Sequence, residues 1–166
     1  SEAVRLILEQ LKHVVAYDSA SVWLYKDDKA VMVGWNDLPY EMVVPIEYTL
    51  SATEPDNAFR TENALYILLD DIQEGYPVFR EPPFNYIRGW MSIPLRARGE
   101  LTGFISLDSR IPGKFTEHDA KLALTFADQV SIALENARLY TELQMELFER
   151  QKLIVELVAK NAESDT

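Results

Sequence analysis

The chain of 166 residues contains no cysteine. That excludes disulfides, thiolate catalysis, cysteine-ligated zinc and any cofactor tethered through a thioether, so no cysteine-linked bilin is expected. Histidine is almost as scarce, with two residues. His13 falls on the polar side of one helical pattern and His118 in what reads as the first turn of another. Neither has a second histidine or a carboxylate at metal-ligand spacing, so neither haem nor a metal centre is expected. No G-x-G-x-x-G or P-loop run is present to cradle a phosphate. Ser92, Ser106 and Ser109 lack a G-x-S-x-G setting and an evident histidine partner. Asp70 and Asp71 are adjacent in an extended segment, where neighbouring side chains point apart. A loop-stabilising role for Asp71 is therefore preferred over acid/base work, and no catalytic constellation is expected.

Basic residues are also under-represented. Sixteen Lys and Arg face 27 Asp and Glu, for a net charge of −11. Such a surface repels nucleic acid and anionic membranes, so neither is expected as a partner. No apolar run approaches the roughly 18 residues of a membrane span and no signal-peptide pattern is seen. A cytoplasmic location is expected. The chain starts at Ser1 already in a helical pattern, which suggests a piece of a longer protein.

What remains is a sequence with 48% hydrophobic residues, enough for one core. Val4, Ile7, Leu8, Leu11, Val14 and Val15 recur at helical spacing. ASVWLY (20–25) and AVMVGW (30–35) flank the polar turn KDDK and predict a β-hairpin. Residues 36–50 are punctuated by Pro39 and Pro45, with IEYTL (46–50) a short candidate strand. Thr53, with Pro55 and Asp56 after it, predicts a capped short helix. ALYILL, ending before Asp70, predicts a buried strand, and residues 70–89 form a long segment rich in proline and aromatics. WMSIPLRA (90–97) and LTGFISLD (101–108) predict a second hairpin around RGE, in which Gly103 would permit the close approach of a helix or a ligand. Thr116, with Glu117 and Asp119, predicts the start of a last helix that meets no Gly or Pro afterwards. The tail 162–166 is expected to fray. The order of elements places the chain in the α+β class.

The run SIPLRARGELTGFISLDSRIPGKFTEHDAKLALTFADQVSIALENARLY (92–140) resembles the C-terminal half of bacterial GAF domains. The matching positions are Pro94–Leu95, Gly103, Leu107–Asp108, Phe115–Thr116, Asp119, Ala127, Gln129, Ala133, Asn136, Ala137 and Leu139, and Asp71–Ile72 resembles a further family position. The resemblance implies a GAF-like, PAS-related central antiparallel sheet. The N- and C-terminal helices would pack on one face, and the last would continue as a long signalling helix. It also implies a small-molecule pocket on the other face, covered by the middle helix and the loop before the second hairpin. By element order the pocket positions are Trp35, Phe59, Tyr66, Asp71, Tyr76, Phe79, Tyr86, Trp90 and Ser92, residues equally suited to filling a core. The family's free-methionine sulfoxide reductase activity needs cysteines, and the chain has none.

LIVELVAKNAE (153–163) resembles the helix that enters the phosphoacceptor region of bacterial sensor histidine kinases. The expected organisation is a sensor domain over 1–140 and a coiled-coil linker over 141–166, leading to a kinase domain in the same chain. One heptad register fits the linker, with Tyr140, Leu147 and Ile154 at a and Leu143, Arg150 and Leu157 at d. An isolated helix with an apolar stripe is marginal in water, so a homodimer is expected. The expected function is sensing of a small molecule and relay through the last helix. The alternative is a ligandless structural relay.

Overall fold

A computed structural model of the chain describes residues 1–41 and 46–164. In chain order the elements are α1 (Glu2–Lys12), β1 (Ser19–Lys26), β2 (Lys29–Asn36), β3 (Glu47–Thr49), α2 (Asn57–Thr61), β4 (Ile67–Leu69), α3 (Ile72–Gly75), a 3-10 turn (Pro77–Arg80), β5 (Gly89–Ala97), β6 (Glu100–Ser109) and α4 (Glu117–Ser164). The strands form one six-stranded antiparallel sheet in the order β3-β2-β1-β6-β5-β4. The chain divides into two compact units, Ser1–Ile132 and Ala133–Thr166. The sequence-based boundary at 140 lies eight residues beyond this division.

Both hairpins form at the polar turns. In the second, Arg98 (φ 55°) and Gly99 (φ 78°) are left-handed, the geometry that matches the twist of paired strands. The two central strands then sort their side chains by strict alternation. Ala20 and Val22 of β1 lie opposite Leu107 and Ile105 of β6 on one face; Ser19, Ser21 and Trp23 lie opposite Asp108, Ser106 and Phe104 on the other.

The aliphatic face carries the terminal helices. Gly34 of β2 lies so close under α1 that a Cβ there would meet Val4 Cγ1 at 2.7 Å. Val4, Leu8 and Leu11 of α1 are fully buried. The stripe Ala120, Ala123, Ala127 and Val130 of α4 is buried with them in the first unit, at the three- and four-residue spacing of one helix face. Ile93, Leu95, Ile105 and Leu107 of the sheet are essentially inaccessible as well. α4 starts with a reciprocal cap: Thr116 N–H donates to Asp119 Oδ2 at 2.9 Å, and Asp119 N–H donates to Thr116 Oγ1 at 3.2 Å.

Several local expectations are corrected. Thr53 does not cap a helix; its hydroxyl pairs with Ser51, and α2 begins at Asn57 after Asp56. The ALYILL segment gives a three-residue strand that is only half-buried, because β4 is a sheet edge paired with β5 alone. Gly103 makes room for neither helix nor ligand: a Cβ would sit 1.9 Å from the Trp23 carbonyl oxygen of β1. Residues 162–164 of the tail are helical, and Asp165 and Thr166 lie outside the described residues, as does Pro45.

Gly103→Ala should destabilise the domain by about 3 kcal/mol or more, because rigid backbone must move. Gly75→Ala, where a Cβ meets nothing within 4 Å, should stay within about 0.5 kcal/mol of the parent. Urea unfolding of both variants checks the contrast.

Candidate functional site

β1 and β6 are the central strands, and the polar row on their second face is buried from bulk water. It looks into a cavity of about 310 Å³, at the lower end of the range of small-molecule sites. The floor is Ser21, Ser106 and Asp108. The walls are aromatic: Trp23, Phe104 and Trp90 from the strands, and Phe79, Phe84 and Tyr86 from the segment between α3 and β5. Trp23 stacks on Phe104, with centroids 6.0 Å apart and planes 9° from parallel. Tyr40, edge-on to the Phe84 ring, also lines the cavity, as do Tyr48, Glu54 and Asp56 on the side of β3 and α2.

Two carboxylates organise the polar side chains. Asp108 is 4% exposed and accepts a 2.7 Å hydrogen bond from Ser19 Oγ at Oδ2. Ser19 is in turn 2.7 Å from the Tyr86 hydroxyl. With Asp108 ionised, the single Ser19 proton goes to the carboxylate, and Tyr86 therefore donates to Ser19. Burial, with a smaller contribution from the negative charge of Asp18, pushes the Asp108 carboxyl up to about 7 against the pull of Ser19. Burial and the field of Asp108 push the Tyr40 hydroxyl up to about 12 and raise that of Tyr86 as well.

Asp56 is fully buried and accepts from Tyr25 at 2.6 Å and Tyr48 at 2.7 Å, with Arg60 Nε 3.5 Å away. This is why it makes no side-chain cap on α2: its oxygens are already engaged. Burial and Asp56 together raise the Tyr25 and Tyr48 hydroxyls far above the usual phenol range.

The nine residues singled out from the sequence divide. Phe79, Tyr86 and Trp90 line the cavity. Trp35 is 44% exposed and lies instead in a shallow depression with Arg5 and Tyr40. Phe59 is core beneath Phe104. Tyr66 faces Glu117 at the start of α4. Asp71 caps α3 by accepting from Gln73 N–H at 3.1 Å and forms a bidentate pair with Arg88, which holds its carboxyl below the usual carboxylate range. Tyr76 packs on the cluster of Ile72, Ile87 and Trp90. Ser92 is buried and donates to the Ile105 carbonyl at 2.9 Å. Aromatic richness alone missed Ser21, Ser106, Asp108 and Asp56. The signal available was the polar alternation S-x-S-x-W and F-x-S-x-D in two strands otherwise apolar enough to be interior.

Among the described residues, no group of three or more His, Asp or Glu is placed to hold a metal ion. None of their helices is long and apolar enough to cross a membrane.

The family profile of the GAF domain matches residues 1–134. The chain belongs to the GAF domain family. Among solved structures, the GAF domain of an Acinetobacter phosphoenolpyruvate-protein phosphotransferase is similar with a TM-score of 0.68 at 16% identity, covering 82% of both chains. The GAF domain of a two-component sensor histidine kinase from Bacillus halodurans gives 0.63 at 16%, covering 84% of this chain and 96% of its own. A type II free methionine-R-sulfoxide reductase from Thermoplasma acidophilum gives 0.66 at 18%, covering 81% and 91%. No curated protein sequence matches. GAF domains serve as sensing and signalling modules in histidine kinases and similar proteins, and the cavity of this one lies on the sheet face away from α1.

Asp108→Asn isolates one electrostatic contribution. A carboxyl whose folded value is raised favours the fold below its unfolded value near 4, and that contribution is lost as pH rises through about 7. The stability of the variant relative to the parent should therefore improve by ~2 kcal/mol between pH 4.5 and pH 7.5. Thermal melts of both proteins at the two pH values measure it; a constant difference would mean that Asp108 ionises normally.

Proposed function

We propose that the chain is a cytoplasmic, non-catalytic sensing module of a bacterial signalling protein, most simply a histidine kinase, which binds a small molecule in the cavity and passes the signal along α4 as a homodimer. The observation that carries the reading is the aromatic-walled cavity, open on one side, with polar atoms on its floor. A face meant only as structural core would have been filled with aliphatic side chains, as the opposite face is. The connection to output is short. Asp108 stands on the cavity floor at the end of β6, and α4 begins at Glu117, nine residues on. Between them, Arg110 N–H donates to Asp18 at 2.7 Å and Gly113 N–H to the Asp70 carbonyl at 2.8 Å, so the connection is anchored to neighbouring segments. A ligand that binds two arrangements of this corner unequally shifts them by its differential affinity.

In the second unit, Tyr140, Leu143, Leu147, Ile154 and Leu157 are all about half exposed or more. A 48-residue helix with these side chains in water favours association with a copy of itself. Arg150, at d, makes an i,i+4 pair with Glu146 at 3.0 Å. The similarity of LIVELVAKNAE (153–163) to the kinase linker supports a downstream kinase domain in the same chain.

Sedimentation equilibrium of the whole chain tests the dimer. The parent should associate, Leu147→Asp should weaken association at least tenfold, and Arg150→Leu should strengthen it by replacing a like-charged pair at d. A monomeric parent at high concentration, together with no effect of Leu147→Asp, would sink the relay through a paired helix.

A further inference from the structure

We propose that the cavity takes a flat aromatic ligand that carries N–H donors and no negative charge, an aromatic ring bearing an alkylamine in chemical class; the inference rests on the sensing reading above. The first observation is what the floor leaves unsatisfied. Among the described residues, Ser106 Oγ has no hydrogen-bond partner and Asp108 is engaged only through Oδ2, although the two residues are 5% and 4% exposed and both line the cavity. Both groups face the cavity with acceptor capacity unused, and a ligand N–H can meet them there. Both sit on one strand two residues apart, on the same face, so a single ligand edge spans them.

The second observation is the sign of the charge. The cavity is lined by Glu47, Glu54, Asp56 and Asp108, and by no Lys, Arg or His. Residues 42–45 and 165–166 bring no basic side chain either. The nearest cations are already committed. Arg60 lies against Asp56 and donates to the Ser51 carbonyl, Lys29 pairs with Glu47 at 2.9 Å, and Arg110 stacks on the Tyr86 ring at 5.0 Å. An anionic ligand would enter a space lined by four acidic side chains and by no basic one, with the neighbouring cations already facing carboxylates or a ring. A phosphate or carboxylate ligand is therefore disfavoured, whereas an N–H donor meets acceptors throughout.

The third observation is shape. Trp23 and Phe104 are near-parallel on the floor side, and Phe84 and Tyr86 come from the opposite segment. Flat rings stack on such walls, and a cationic ring substituent gains further from aromatic faces.

The test uses three probes of one size: tryptamine, indole-3-ethanol and indole-3-acetate. Each is titrated against the full chain by calorimetry and followed by thermal shift. The amine should bind about tenfold or more tighter than the acid, the discrimination of one charge-assisted hydrogen bond, with the alcohol between them. Asp108→Asn should bring amine and alcohol within about threefold while alcohol binding persists, which separates the cavity from nonspecific attraction to an acidic surface. If that variant does not fold, Ser106→Ala serves in its place and should weaken all donor ligands. Acid binding equal to or tighter than amine binding overturns the ligand class and leaves the sensing reading intact. Amine binding untouched by Asp108→Asn and Ser106→Ala overturns the site. Silence from all three probes overturns the ligand class.

Discussion

The pairing of β1 with β6 sets the terms for everything else in the first unit. The two backbones run so close at Gly103 that no side chain fits between that position and the Trp23 carbonyl. This fixes the register, and the register fixes which residues share a face. Ala20, Val22, Ile105 and Leu107 are sent one way and Ser19, Ser21, Ser106 and Asp108 the other. A slip by one residue would exchange them, putting a carboxyl under the helices and aliphatic groups in the cavity. Hydrophobic burial on one side and an unfilled polar recess on the other thus come from a single alignment of two strands.

The same alignment explains which features could be read from the sequence. The hairpins were legible because their turns are polar and their strands β-branched and aromatic. The start of α4 was legible because Thr116 and Asp119 form a reciprocal cap, and its length because no breaker follows. Positions in the 70–89 segment were not. No period governs a stretch of α3, a 3-10 turn and connecting loop, so composition alone cannot tell Phe79, which lines the cavity, from Tyr76, which packs on Ile72 and Trp90. Trp35 was misplaced for a related reason. It pairs with the cavity-floor residue Ser21 and so shares its face of the sheet, yet it lies beside Arg5 and Tyr40 and outside the cavity; element order can give a face but not the lateral position on it.

Asp56 and Asp108 show two ways of keeping a carboxyl in a largely apolar place. Asp56 is surrounded by donors, two phenols and a guanidinium. Asp108 has one serine, and burial raises its carboxyl above the usual carboxylate range. The first is a structural tie between β1, β3 and α2. The second leaves capacity unused at the point where the sheet hands over to the last helix, a sensible place for a ligand to act.

The two outer strands, β3 and β4, are three residues each. A sheet ending in such short strands presents little open ladder to another chain, so growth by strand addition is suppressed and aggregation through the sheet is disfavoured.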